Sequence, residues 1–179
     1  MPRPPVVRDV AATGGVFVLA LSAYLLLGQS TFYKGDGQAF VASLSTGDFA
    51  HPYHLAYPRL LQGFAALFGG MDVSNLRIGT SLSALGTAIG VAVFHATCRN
   101  SGLGPSRSLL AALLVATAAP IVFFATVVEV HGPFFAFASV AWWTITRLER
   151  GAGTGGGGSG VASPPRSPPR RTPPATSSS

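Results

Sequence analysis

Long uncharged runs separated by short polar links set the rhythm of this chain. The first, AATGGVFVLALSAYLLL over residues 11–27, carries no charge. At 1.5 Å per residue it is about 26 Å long, close to the ~30 Å hydrocarbon core of a bilayer. Three more runs of about one bilayer each follow: IGTSLSALGTAIGVAVFHATC over residues 78–98, then residues 109–128 and 133–148. The pattern predicts an all-α, polytopic helical membrane protein with about four transmembrane helices. A secretory signal is the rival reading of the first run, because Arg3 and Arg8 precede it. No A-x-A-like cleavage site follows it, so an uncleaved anchor is the expectation.

Between the first two runs lies a loop, residues 29–77, with structure of its own. Tyr57, Leu60, Leu61, Phe64, Leu67 and Phe68 recur at helical spacing, with Arg59, Gln62 and Gly63 elsewhere around the helix. An amphipathic helix lying along the membrane surface is expected there. Phe40, Val41 and Leu44 predict a helical turn or two after Asp36, ending near Gly47. Two interfacial helices would then cover one end of the spans. Residues 151–179 hold only Gly, Ala, Thr, Ser, Val, Pro and Arg, a composition that cannot bury a core. The chain therefore divides into a helical membrane domain, residues 1–150, and a low-complexity disordered tail, residues 151–179. The abrupt change after the last run also fits a longer membrane protein cut short.

Composition strengthens the membrane reading. Of the 179 residues 48% are hydrophobic and 10% charged, whereas soluble domains carry charge on roughly a quarter of theirs. The net charge of +6 does not point to nucleic acid. Arg166, Arg170 and Arg171 lie in the tail and the other basic residues are scattered, with no basic stripe interleaved with aromatics. One cysteine, Cys98, excludes an intramolecular disulfide and any multi-cysteine zinc module. Arg3, Arg8, Arg99, Arg107, Arg147 and Arg150 all fall on one side of a four-span arrangement, with Lys34, Arg59 and Arg77 spread through the long loop opposite. The positive-inside rule then puts both termini in the cytoplasm and residues 29–77 outside, with a bacterial plasma membrane as the expected location.

The candidate chemistry collects on that outer side. Glu129 stands in PIVFFATVVEVHGPFFAF with no basic residue within several positions, so its carboxylate must reach water, a partner or a metal. It can also simply mark a turn, since Gly132 and Pro133 follow. Asp36 sits between Gly35 and Gly37 in YKGDGQAF, either an unobstructed carboxylate or a helix-capping one. His51 and His54 in HPYH are three residues apart and, with Asp36, Glu129 or His131, could form a mixed N/O metal site. The alternative is ordinary hydrogen bonding. The metal requirement stays open. His95 and Cys98 read as structural. Gly86 and Gly90 form a G-x-x-x-G that lets a neighbouring helix approach closely. Pro120 should kink the third run, opening room near Glu129 unless it faces lipid. Walker, G-x-S-x-G and H-E-x-x-H motifs are absent.

One span, an exposed aspartate, a loop containing HPYHLAYP, two spans and then VVEVHG resemble the N-terminal part of the membrane-embedded GT-C glycosyltransferases, closest to the protein O-mannosyltransferase-like branch. The matching positions are Asp36, Gly37, His51, Pro52, Tyr57, Pro58, Val128, Glu129 and Val130, and the resemblance covers residues 11–148. In that branch the H-P and Y-P pairs are compact, whereas YHLA separates them here. The resemblance implies a sugar donor linked to an isoprenoid phosphate, with Asp36 as general base on an acceptor hydroxyl. Glu129 and His131 would help bind donor or metal, Arg59 or Lys34 would approach the phosphate, and His51, His54 and Tyr57 would line the donor site. A divalent cation held by Asp36, His51, Glu129 or His131 is compatible with it. The competing readings are a non-catalytic four-span protein or truncated remnant, and a transporter fragment, for which only Pro120 speaks.

Overall fold

The computed structural model describes residues 5–31, 36–47 and 56–155, and all regular structure among them is helical. The helices are α1 (Pro5–Leu27), α2 (Gly37–Thr46), α3 (Ala56–Ala66), α4 (Asn75–Asn100), α5 (Pro105–Thr117), α6 (Ala119–Thr126) and α7 (His131–Gly155). Among the described residues, α4 and the Asp9–Leu27 stretch of α1 are long and apolar enough to cross a membrane. A third crossing is added if α5 and α6 form one broken span. α7 is long enough but does not belong to that set. Large apolar side chains stay exposed along the outside of the bundle, among them Val18, Leu19, Leu26, Leu114, Phe137 and Trp142. A skin of this kind suits hydrocarbon and would be an aggregation hazard in water.

α4 is the central post. Ser74 caps it, its hydroxyl accepting from the Arg77 N–H at 3.3 Å. One face presents Gly79, Ser83, Gly86 and Gly90, a 4-3-4 spacing that keeps small residues in line. A Cβ added at Gly86 would stand 2.5 Å from the Pro133 nitrogen, and one at Gly90 would strike the Phe135 ring. The close approach that these glycines allow is therefore taken up by α7 of the same chain. On another face Ala84, Ala88 and Val91 meet α1 through Val16, Ala20 and Tyr24.

The expected kink at Pro120 is present as a 61° bend between α5 and α6. Ala118 adopts extended backbone there, with φ −60° and ψ 131°. Pro120 has no N–H to offer the Ala116 carbonyl four residues earlier, which would orphan an acceptor in apolar surroundings. The Tyr24 hydroxyl of α1 donates to that carbonyl at 2.8 Å. The break thus doubles as a tie between α1 and α5.

α2 follows Asp36 and stops at Gly47, whose φ of 72° is left-handed and whose N–H bonds the Ser43 carbonyl, as the stripe ending near Gly47 anticipates. α3 carries the predicted amphipathic stripe, but Tyr57 and Leu61 pack into a protein core with Phe40, Val41, Ile78, Leu82 and Val128. Only Leu60 of this helix and Leu67 just after it are left as exposed large apolar groups there. α7 starts at His131 and runs through residues 151–155, the beginning of the expected glycine linker. Propagating a formed helix needs only one bond per residue, and a glycine weakens it by about 1 kcal/mol without ending it. The rest of the predicted tail, residues 156–179, lies outside the described residues.

Candidate functional site

The residues that gather around Glu129 do so because backbone meets backbone. The turn from Val127 to Val130 lies across the start of α4. A Cβ on Gly37 would be 2.6 Å from the Val128 carbonyl oxygen, one on Gly79 would be 2.9 Å from the Val128 methyls, and one on Gly132 would be 2.5 Å from the Ser83 carbonyl oxygen. Glycine at these three positions lets α2, α4 and the α6–α7 turn share one small volume. The Ser83 hydroxyl then clips the turn in place, donating to the Glu129 carbonyl at 3.1 Å and accepting from the Glu129 N–H at 3.2 Å.

With its backbone held, Glu129 keeps a side chain 22% exposed, and its Oε2 lies 3.6 Å from His131 Nδ1. His131 stacks on Phe124, with ring centroids 4.1 Å apart and planes at 22°. Tyr57 enters from α3 and is 2% exposed, its ring edge-on to Phe40 at 4.7 Å. Among the described residues its buried hydroxyl has no hydrogen-bond partner. Burial pushes the Tyr57 phenol above its ordinary range. The Ser83 hydroxyl is near enough to ease this without reaching hydrogen-bond geometry, and the Glu129 carboxylate adds to it.

Asp36 occupies the N-cap of α2 but makes no side-chain capping bond, and its residue is exposed. Because Gly37 touches Val128, Asp36 and Glu129 stand on segments in direct backbone contact. Arg59 lies on the exposed face of α3, donating to Gln62 Oε1 at 3.3 Å. Lys34, His51 and His54 fall outside the described residues. Among the described residues no three His, Cys, Asp or Glu side chains come together as a metal site. Glu129 also marks the turn, as its bland reading required: the helix resumes at His131, and the Phe134 N–H bonds the Val130 carbonyl. Turn-marking and an open carboxylate are thus properties of the same residue.

Ser83 is a participant that the sequence analysis did not single out. The available signal was its place in the 79-83-86-90 row. It is the hydroxyl in a line of glycines, and so the one side chain there able to bond whatever backbone comes close.

A second polar cluster forms at the other end of α4, where the ends of α1, α5 and α7 meet. Arg99 donates to Asp9 Oδ1 from Nη2 at 2.8 Å and from Nε at 3.0 Å, and to the Leu103 carbonyl at 2.6 Å. Asn100 donates to Thr146 at 3.2 Å, and the Arg147 guanidinium lies 4.9 Å from the Trp143 ring centroid. One turn inward, buried His95 shares a 2.9 Å hydrogen bond with Thr13, and Cys98 is a partly buried free thiol. Compared with protein-family models, curated proteins and solved structures, the chain matches none of them.

Proposed function

We propose that the chain is an integral membrane protein that crosses the bilayer four times, through α1, α4, the broken α5–α6 pair and α7. Both termini lie in the cytoplasm, of a bacterial cell by expectation, and the Glu129 end faces outward. We further propose that it is a GT-C glycosyltransferase, or the N-terminal part of one, akin to the protein O-mannosyltransferase-like branch. The observation that supports this best is the Gly37–Val128 contact, which brings together segments from the two separate motifs behind the resemblance, KGDG and VVEVH.

In this reading an acceptor hydroxyl attacks the anomeric carbon of a sugar linked to an isoprenoid phosphate. Asp36 takes the hydroxyl proton as the new C–O bond forms, the bond to phosphate oxygen breaks, and isoprenoid phosphate departs with that electron pair. Arg59 and Lys34 supply positive charge for the departing phosphate. Glu129 accepts hydrogen bonds from sugar hydroxyls, its backbone held by Ser83. His131, stacked on Phe124, offers the sugar an apolar edge and a ring nitrogen. His51, His54 and Tyr57 complete the donor side.

The test is incorporation of labelled sugar from isoprenoid-phosphate donors, in membranes carrying the chain, its Asp36→Asn version, or a reading frame extended past Glu149. Asp36→Asn is expected to lower incorporation about 100-fold or more, the usual worth of a positioned base. Incorporation only in the extended frame would make this chain the inactive N-terminal piece of the enzyme. Incorporation indifferent to Asp36→Asn would overturn Asp36 as the base, and none in any form would leave the non-catalytic four-span protein as the reading.

A further inference from the structure

The arginine end of the bundle holds a cleft that the sugar-transfer reading does not use. Its volume is about 460 Å³, within the range of small-ligand sites, and Asp9, Arg99, Asn100, Trp143, Arg147 and Arg150 line it. Three guanidinium groups and one carboxylate give those lining residues a formal charge of +2. The arginines come from different elements: Arg99 from the end of α4, Arg147 and Arg150 one turn apart on α7. Each has a defined posture. Arg99 is fastened to Asp9 and to the Leu103 carbonyl, Arg147 lies against Trp143, and Arg150 reaches the α4–α5 turn, where a Cβ on Gly102 would stand 3.6 Å from its Nη2. Guanidinium forks lining one cleft match the paired oxygens of a phosphate.

We infer that this cleft is a binding site for the phosphate headgroup of an anionic phospholipid. Its position at the ends of helices apolar enough to cross a membrane puts it at headgroup depth. Trp143 supplies the amphipathic ring favoured at that depth, with its neighbour Trp142 exposed on the lipid-facing side. The inference depends on the membrane placement and not on any catalytic role of Asp36.

Fluorescence quenching tests it on the full chain in bilayers. The chain has two tryptophans, so Trp142→Phe leaves Trp143 as the only reporter. Bilayers containing brominated phosphatidylglycerol are compared with bilayers containing brominated phosphatidylcholine at equal mole fraction. Phosphatidylglycerol is expected to bind preferentially, with the preference falling about fivefold for each arginine removed in Arg147→Gln and Arg150→Gln. The Arg147→Lys/Arg150→Lys double variant, which keeps the charge but loses the forks, should fall between the parent and the double glutamine variant, and Arg107→Gln, outside the cleft, should keep the full preference. Equal quenching by the two lipids would overturn the inference. So would a preference that survives the double glutamine variant with helicity intact. Competition by millimolar inorganic phosphate would instead identify a site for soluble phosphate and overturn the lipid assignment.

Discussion

The two ends of α4 are built by opposite means. At the Glu129 end glycines set the seam: Gly37, Gly86 and Gly132 bring backbone against backbone, Gly79 admits the Val128 methyls, and Ser83 adds a bidentate clip beside the apolar cluster of Phe40, Tyr57, Leu61, Ile78 and Leu82. At the arginine end the helices are joined by long side chains reaching across, Arg99 to Asp9 and Asn100 to Thr146. The first construction holds a carboxylate still while leaving it open. The second holds positive charge through long side chains, Arg99 against Asp9 and Arg147 against Trp143. Rigid support suits chemistry at defined atoms, and extended arginines suit an adaptable anionic surface.

If that contrast is right, small additions of volume should wreck one end and small losses of charge should barely disturb the other. The largest effect is expected from Gly86→Val, because the atom in the way is the backbone of Pro133, which no rotamer change can move. A loss of about 3 kcal/mol or more in unfolding from detergent is expected. Gly90→Ala meets the Phe135 ring, which can turn, so its loss should be clearly smaller. A Gly86→Val protein as stable as the parent would refute the close helix seam.

Ser83→Ala comes next. It removes both bonds to the Glu129 backbone in a buried setting, at a cost of about 1–3 kcal/mol by the same unfolding measurement. Asp9→Asn sits lower, at about 1 kcal/mol or less and shrinking with added salt, because the carboxylate is 42% exposed. A salt-insensitive loss larger than that of Ser83→Ala would reverse the comparison.

The smallest effect belongs to Tyr57→Phe. Its buried hydroxyl has no partner among the described residues, so deleting it should leave stability near pH 7 unchanged or slightly higher. The pH dependence is more telling. The folded phenol titrates above the unfolded one, so above pH ~10 the unfolded chain releases a proton that the folded chain retains, and stability falls as pH rises further. Tyr57→Phe should flatten that fall, and an unchanged slope would remove Tyr57 from the buried cluster.

Local features of the fold were legible from the residues alone. Gly47 ends α2 because it can take a left-handed φ, the stripe from Tyr57 to Phe68 forms the helical segment at α3, and Pro120 bends its run because it lacks a donor. Contacts between distant segments were not. That the stripe of α3 packs on Ile78, Leu82 and Val128 depends on partners far along the chain, which amphipathicity alone does not name. The continuation of α7 through residues 151–155 was hidden by glycines that weaken a helix without ending it. At the site, Glu129 and His131 were visible as polar residues in an apolar run. Ser83, whose importance comes from what Gly132 and Glu129 bring to it, was not. Pairing Asp9 with Arg99 likewise needs the antiparallel packing of α1 on α4.

The central claim is a bundle crossing the membrane with the Glu129 end outward and the arginine end in the cytoplasm. In a Cys98→Ser background, Thr46→Cys and Ser101→Cys put single exposed thiols at the two ends of α4, which at 1.5 Å per residue lie about 39 Å apart. A membrane-impermeant maleimide applied to intact cells should label Thr46→Cys and leave Ser101→Cys unlabelled until the membrane is permeabilised. Equal labelling of both in intact cells would contradict the account.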